Sequence, residues 1–218
     1  MPEIIPYHLN LVNGFRVGTR GINLEEASPS IPSDSLFSAL VDCVSRLGQN
    51  ATHFVEQFNS NPPFLLTSVF PRVGSIRLYP MPIGLLSQFN PNDRETHGKA
   101  LKKIKFISEG VLLRLLNGDA PSTFLFPKAD DVPTVGAALQ RGEIWILLNE
   151  TAQMPKSLQL SGEKRIALFK QQVWQRDVVP RVTVSRETQQ SQIFHTGRIT
   201  FAAGCGLWFG LQPKKTEA

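Results

Sequence analysis

The densest apolar periodicity in the chain lies between Ser28 and Gly48. Leu36, Phe37, Leu40, Val41, Val44 and Leu47 recur at helical spacing, while Ser35, Ser38, Asp42, Ser45 and Gln49 fall mostly off that stripe. Both ends of this helix are written in. Pro29 and Pro32 keep the approach extended, and Ser33 is placed to cap the first free N–H groups. Asp34 sits where the helix dipole favours negative charge, and Gly48 suits the C′ position. The stripe predicts a core helix packed on a sheet. A charge at Leu40 is then expected to unfold the N-terminal unit. The same helix start, with Ser33 and Ser35 beside uncovered N–H groups, is a candidate phosphate cradle.

Period-two alternation predicts a strand over Ile4–Val12, where Ile5, Tyr7, Leu9 and Leu11 alternate with Pro6, His8 and Asn10. Asn13-Gly14 and Gly18–Gly21 are turn signals flanked by Arg16 and Arg20. A short second helix is expected over Thr52–Phe58, and strands over Phe64–Phe70 and Ser75–Tyr79. Pro80 and Pro82 cannot continue a central strand, because proline lacks the donor. Ser87–Lys105 is polar and then basic, ending in Lys99, Lys102, Lys103 and Lys105. Ile107–Leu116 carries a second strong helical pattern, capped by Ser108, weakened by Gly110 and stopped at Asn117-Gly118. No sustained period runs through 119–142, which reads as a connection. Glu143–Asn149 reads as a buried strand and Gly162–Asp177 loosely as a helix. Val178–Ser185, Gln192–Phe201 and Gly206–Leu211 read as strands. The expected organisation is an N-terminal unit over 1–120, a connection over 121–142 and a second unit over 143–218.

Composition narrows the class. A chain of 218 residues that is 41% hydrophobic can bury a core. Its 23 Lys+Arg against 18 Asp+Glu give a net charge of +5, which permits a nucleic-acid partner without requiring one. Cys43 and Cys205 are the only cysteines, each read as a buried thiol, and together they make no zinc site. The start MPEIIPYHLN lacks the basic and long apolar parts of a signal peptide, and Ile144–Leu148 is too short to span a bilayer. A cytoplasmic protein with no membrane partner is expected.

Chemistry concentrates in Arg181–Ser191. Alternation puts Arg181, Thr183 and Ser185 on one strand face and Val182 and Val184 on the other. A donor-rich turn follows, with Arg186, Thr188, Gln190 and Ser191, and then Arg198 on the next strand. Arginine suits phosphate through its planar fork, and Thr, Ser and Gln can bond phosphate, ribose or base edges. On its residues alone this stretch also reads as a surface hairpin with ordinary polar tips; the candidate RNA-binding set, which the resemblance below favours, is Arg16, Arg20, Ser33, Ser35, Lys102, Lys103, Arg181, Arg186, Thr188, Gln190, Ser191 and Arg198. Phe194 and Phe201 are read as core aromatics first and as base-stacking groups second. His8, His53, His97 and His195 show neither a Ser–His–acid pattern nor an HxxxH metal spacing, and GFRVGTRG lacks the GK[ST] ending of a phosphate loop. No catalytic residue, metal or cofactor is expected.

Four segments carry a resemblance: SDSLFSALVDCVSRLG after the GFRVG turn, PPFLLTSVFPRVGSIRLYPMPIG, LKKIKFISEGVLLRLLNG and PRVTVSRETQQSQIFHTGRITFAAGCGLWFGL. In this order they resemble the fourth subunit of the Csm complex. That is the type III-A CRISPR subunit of the RAMP superfamily that holds the 5′ end of the guide RNA. The resemblance implies an α+β, ferredoxin-like (RRM-type) RAMP fold, with one N-terminal unit plus a partial second unit. It implies that the 181–191 hairpin is the thumb reaching along the guide, with Ser185 where the family carries an acidic residue. It implies crRNA, the backbone RAMP subunits and the large Palm-domain subunit as partners. The family continues past GLWFGL into the rest of a second unit, so another chain completing that unit, or a reduced variant, is expected. A guide-processing, metal-independent endonuclease using one of the histidines, and a protein-interaction module without RNA contact, are the alternatives.

Overall fold

The computed structural model describes residues 3–18, 26–127, 134–159, 165–184 and 191–214. The elements are β1 (Ile5–Leu9), α1 (Ser33–Arg46), α2 (Ala51–Glu56), β2 (Phe64–Leu66), β3 (Phe70–Val73), β4 (Ile76–Pro80) and α3 (Pro91–Leu101). They continue with β5 (Phe106–Ser108), α4 (Glu109–Leu116), β6 (Gly136–Leu139), β7 (Ile144–Leu147), α5 (Arg165–Lys170), β8 (Trp174–Val184), β9 (Ser191–Phe201) and β10 (Cys205–Pro213). Helices and mainly antiparallel strands make this an α+β protein.

Contacts gather these elements into two units. Unit 1 comprises residues 1–70, 178–198 and 207–218, and unit 2 comprises 71–177 and 199–206. The grouping interleaves segments and does not divide the chain at 121–142. Where described, that stretch is structured: Pro121–Phe124 forms a 3-10 turn and Gly136–Leu139 forms β6.

Unit 2 holds the main core. Pairing runs β3–β4–β5–β7–β6, antiparallel except for β5 with β7, where Phe106 pairs Ile144 and Ile107 pairs Trp145. A parallel pair needs a crossover, and α4 lies within it. All four residues of β7, Ile144–Leu147, are buried, as a strand covered on both faces requires. Leu101, Ile107, Val111, Phe124 and Trp145 meet in one cluster, with the Phe124 and Trp145 rings stacked at 5.3 Å and the Trp145 indole donating to the Phe124 carbonyl at 2.8 Å.

A buried carboxylate joins α4 to this core. Ser108 caps the helix, its Oγ accepting from Val111 N at 3.2 Å. The same hydroxyl donates to Glu150 Oε2 at 2.5 Å. Glu150 also accepts from Gly110 N at 3.0 Å and Leu147 N at 2.7 Å. Gly110 is there for this approach, since a Cβ on it would stand 2.6 Å from Glu150 Oε1. The glycine that weakens the sequence pattern is the one that admits the cap.

Unit 1 is organised differently from expectation. β10 pairs antiparallel with β1, Tyr7 opposite Phe209, and with β2, Leu65 opposite Gln212. The helix α1 forms where predicted, and Gly48 has φ +73 as a C′ residue should. Its N-cap, however, is Pro32, with no side-chain cap, so Ser33 is the first helical residue and not the cap. None of its residues is buried, and Leu47 is 76% exposed. Phe37 stacks on Phe54 at 5.9 Å and meets Phe58 edge-on at 4.8 Å, so α2 covers only part of the stripe. Periodicity shows that a face is apolar; it does not show that anything covers it. Leu40→Asp is therefore expected to cost about 1–2 kcal/mol, well short of unfolding the unit. Urea denaturation of the variant checks this, and complete loss of structure would restore the core reading.

Four further expectations are corrected. Cys43 is exposed, because it lies off the covered side of α1. Cys205 is buried as expected, and burial pushes its thiol up to about 11. Thr67–Val69 interrupts the strand expected over 64–70, and Val69 instead forms an isolated bridge to Ile31. Alternation in β1 does not bury it: Ile5 and Tyr7 are exposed. The helix expected to reach Asp177 stops at Lys170, and Trp174 begins β8, where its ring packs edge-on against Phe106 and Phe201.

Candidate nucleic-acid interface

β8 and β9 pair with each other in a separate two-stranded sheet. Each is 11 residues long. The connection between them is too short for a parallel crossover, so they form an antiparallel ribbon. At its base the ribbon is anchored: Trp174, Thr196 and Ile199 are buried. Thr200 Oγ1 donates to Asp177 Oδ2 at 3.3 Å. Away from the base both faces are exposed. Every residue from Pro180 to Val184 is exposed, as are Ser191, Gln192 and Ile193. Val182 and Val184 are each 60% exposed and Ile193 67%. Arg181 and Thr183 occupy the face opposite the two valines, as alternation predicts. Arg181 makes no hydrogen bond or ion pair with a described residue.

The candidate residues fall into separate groups. In unit 1 the structure brings Arg198 against the turn that precedes Arg16. A Cβ on Gly14 would stand 2.6 Å from Arg198 Cδ, so the glycine leaves room for the arginine stem. Arg16, Arg181, Ser191 and Arg198 are all exposed. Ser33 and Ser35 are engaged by other partners. Ser33 N donates to Ser68 Oγ at 3.2 Å, and Ser35 N donates to Asp34 Oδ1 at 2.7 Å. A carboxylate thus already occupies part of the helix start where a phosphate was expected. Ser33 also borders an apolar groove of about 310 Å³ walled by Phe37, Phe58 and Phe64.

In unit 2, Lys102 is the C-cap of α3 and Lys103 follows it, both exposed. Lys105 is engaged, with Nζ 3.5 Å from Glu143 Oε2. Arg176 reaches the same carboxylate in a fork, at 3.2 and 3.0 Å. Burial works to raise Glu143, but the hydrogen bond and charge of Arg176, aided by Lys105, outweigh it and hold the carboxyl below its usual 4.5. A depressed carboxyl contributes stability above its unfolded value and loses it as pH falls through the folded value. Acid unfolding of Glu143→Gln should accordingly show a shallower pH dependence below pH 4.5 than the parent. Coincident acid-melting curves would contradict the pairing.

Arg20, Arg186, Thr188 and Gln190, with Ser185 and the Asp130-Asp131 pair, lie outside the described residues. Phe201 packs on Trp174 with ring centroids 6.1 Å apart, and Phe194 is half-buried. The histidines occupy separate elements: His8 in β1, His53 in α2, His97 in α3 and His195 in β9. Among the described residues no cluster of three His, Cys, Asp or Glu side chains could hold a metal. No described helix is long and apolar enough to cross a membrane. Sequence reasoning missed Gln140, Arg141 and Arg176, which cluster around Trp174. The signal was faint, because 140–142 looked like part of a featureless connection.

No protein-family model and no curated protein matches the sequence. Solved structures do. A chain of the Csm3–Csm4 subcomplex of the type III-A CRISPR–Cas interference complex matches with a TM-score of 0.59 and 16% identity, over 94% of this chain and 58% of that one. A chain of the Csm1–Csm4 cassette in complex with AMPPNP matches with a TM-score of 0.55 and 17% identity, over 97% of this chain and 60% of that one. The same cassette in complex with cA4 gives 0.54 and 17%, over 97% and 59%. Csm4 is the component common to all three. The fold is similar to that of chains in these Csm4-containing assemblies. At this identity the likeness is one of fold. The chain spans 58–60% of the length of the chains it matches.

Proposed function

We propose that the chain is a non-catalytic structural subunit of a type III CRISPR RNA-guided complex and that it binds the crRNA at its 5′ handle. The observation that carries this reading is the β8–β9 ribbon. A two-stranded ribbon exposed on both faces is marginal in water unless it meets a partner. This one offers Arg181 and Thr183, with no partner among the described residues, on one face and three exposed apolar side chains beyond its base. That combination suits an RNA strand, whose phosphates take arginine and whose bases take apolar or aromatic surface. The Csm4-like fold supports the setting, since the solved chains sit in assemblies with Csm3 or Csm1. By that likeness the partners are a backbone RAMP subunit and the large Palm-domain subunit. A further chain completing the second RAMP unit belongs to the same proposal.

Arg186, Thr188, Gln190 and Ser191 would contact the guide near the handle–spacer junction. Arg186→Glu replaces a donor to phosphate with a repelling charge, at a cost of about 1.5–3 kcal/mol for the lost charge-assisted bond. Assemblies purified with the variant should carry less guide RNA, or a guide whose 5′ end is digested by exonuclease. Full occupancy with an equally protected 5′ end would remove Arg186 from the guide contact.

A further inference from the structure

Unit 2 contains a cavity of about 490 Å³ where the end of α3 meets the base of β8. Lys103, Gln140, Arg141, Gln172 and Trp174 line it, with Glu143, Arg176 and Asp177. Three observations single it out. The first is the backbone. Gln140 and Arg141 have φ 52 and φ 54, followed by Gly142 at φ 96. Two consecutive non-glycine residues in the left-handed region are costly and persist only where their surroundings enforce them. Here the Gln140 side chain is the enforcing clamp. Its Oε1 accepts from Val173 N at 2.7 Å and its Nε2 donates to the Trp174 carbonyl at 2.9 Å. Gln140 is buried by this arrangement, whereas Arg141 is turned out exposed at the cavity.

The second observation is charge. Glu143 is taken up by Arg176 and Lys105, and Asp177 accepts from Thr200. Lys103 and Arg141 have no ion-pair partner among the described residues. Among the described residues, these two cations are therefore without a carboxylate partner where both neighbouring carboxylates are engaged. The third is Trp174, which is 1% exposed and whose indole N–H has no acceptor among the described residues. A buried donor without a partner is uncommon.

We infer that this cavity binds the phosphate of a nucleotide, either free or within an RNA strand. Arg141 supplies a planar fork and Lys103 a point charge, the pair of donors that phosphate favours. The volume exceeds that of a bare phosphate and falls in the range of small-ligand sites, about 300–1,000 Å³. Gln172 and Gln175 can bond the sugar or base. The site does not depend on the ribbon, although Lys103 was a candidate for RNA contact.

The test uses the three tryptophan indole signals in a ¹⁵N–¹H spectrum of the full chain, that of Trp174 assigned with Trp174→Phe. The probes are adenosine 5′-monophosphate, adenosine, and a 5′-hydroxyl RNA pentamer. The monophosphate should move the Trp174 signal and adenosine should not. Movement with the pentamer as well assigns the site to phosphates within a strand; movement with the monophosphate alone assigns it to free or terminal phosphate. Arg141→Gln combined with Lys103→Gln should weaken the monophosphate response at least tenfold, and Arg181→Glu combined with Arg198→Glu should leave it unchanged. A silent Trp174 signal with both phosphate probes, or an equal response to adenosine, overturns the inference. Undiminished RNA binding by the Arg181→Glu, Arg198→Glu variant, with an intact monophosphate response, would instead count against the ribbon.

Discussion

Glu150→Ala should lower the melting temperature more than any single surface substitution. The carboxylate is 8% exposed and accepts from the Ser108 hydroxyl and from the N–H groups of Gly110 and Leu147. Removing it leaves those donors buried without an acceptor, at a cost of about 3–5 kcal/mol. At roughly 2–4 °C per kcal/mol for a chain of this size, the midpoint should fall by about 10 °C. Gly110→Ala is the sharper companion. On an isolated helix it would help by about 1 kcal/mol. Here its Cβ would stand 2.6 Å from Glu150 Oε1, and the protein should be destabilised. Calorimetric scans of both variants decide the matter. A Glu150→Ala midpoint within a degree of the parent would show that water replaces the carboxylate.

Arg181→Glu combined with Arg198→Glu should reduce affinity for single-stranded RNA by the largest factor of any surface change. Each lost bond to phosphate costs about 1.5–3 kcal/mol, which is roughly ten- to a hundredfold. If two phosphates lose their partners, the slope of log affinity against log salt should flatten by about 1.4, at roughly 0.7 per phosphate. Arg198 is set against Gly14 and Arg181 stands open, so both reversals act at the surface and the melting curve should hold. Titrations at several salt concentrations read both quantities. A slope equal to that of the parent would remove these two arginines from the interface.

Element types were largely legible in the sequence, because α1, α4, β7 and β9 each carry a strong period and clear ends. Burial was less so. The stripe of α1 has the same pattern as a core helix, yet the main core formed in unit 2 around Trp145 and Val111. The short strands β5 and β6 escaped notice because three or four residues give no period to count. In the candidate interface, exposed arginines on an alternating strand were readable as such. The cluster at Gln140 and Arg141 was not, since its origin is a left-handed backbone enforced from Val173 and Trp174, more than thirty positions away.

The bond between Ser108 and Glu150 spans 42 positions. During synthesis, at about 5–20 residues per second, the first turn of α4 leaves the ribosome roughly 2–8 s before its acceptor does. Over that interval the helix has only its Ser108 cap, and the apolar side of Val111 has no strand β7 to meet. Translation speed between these two codons therefore sets how long an unfinished, sticky intermediate persists. Slowing elongation there should raise the chaperone demand of this chain without altering the final folded protein.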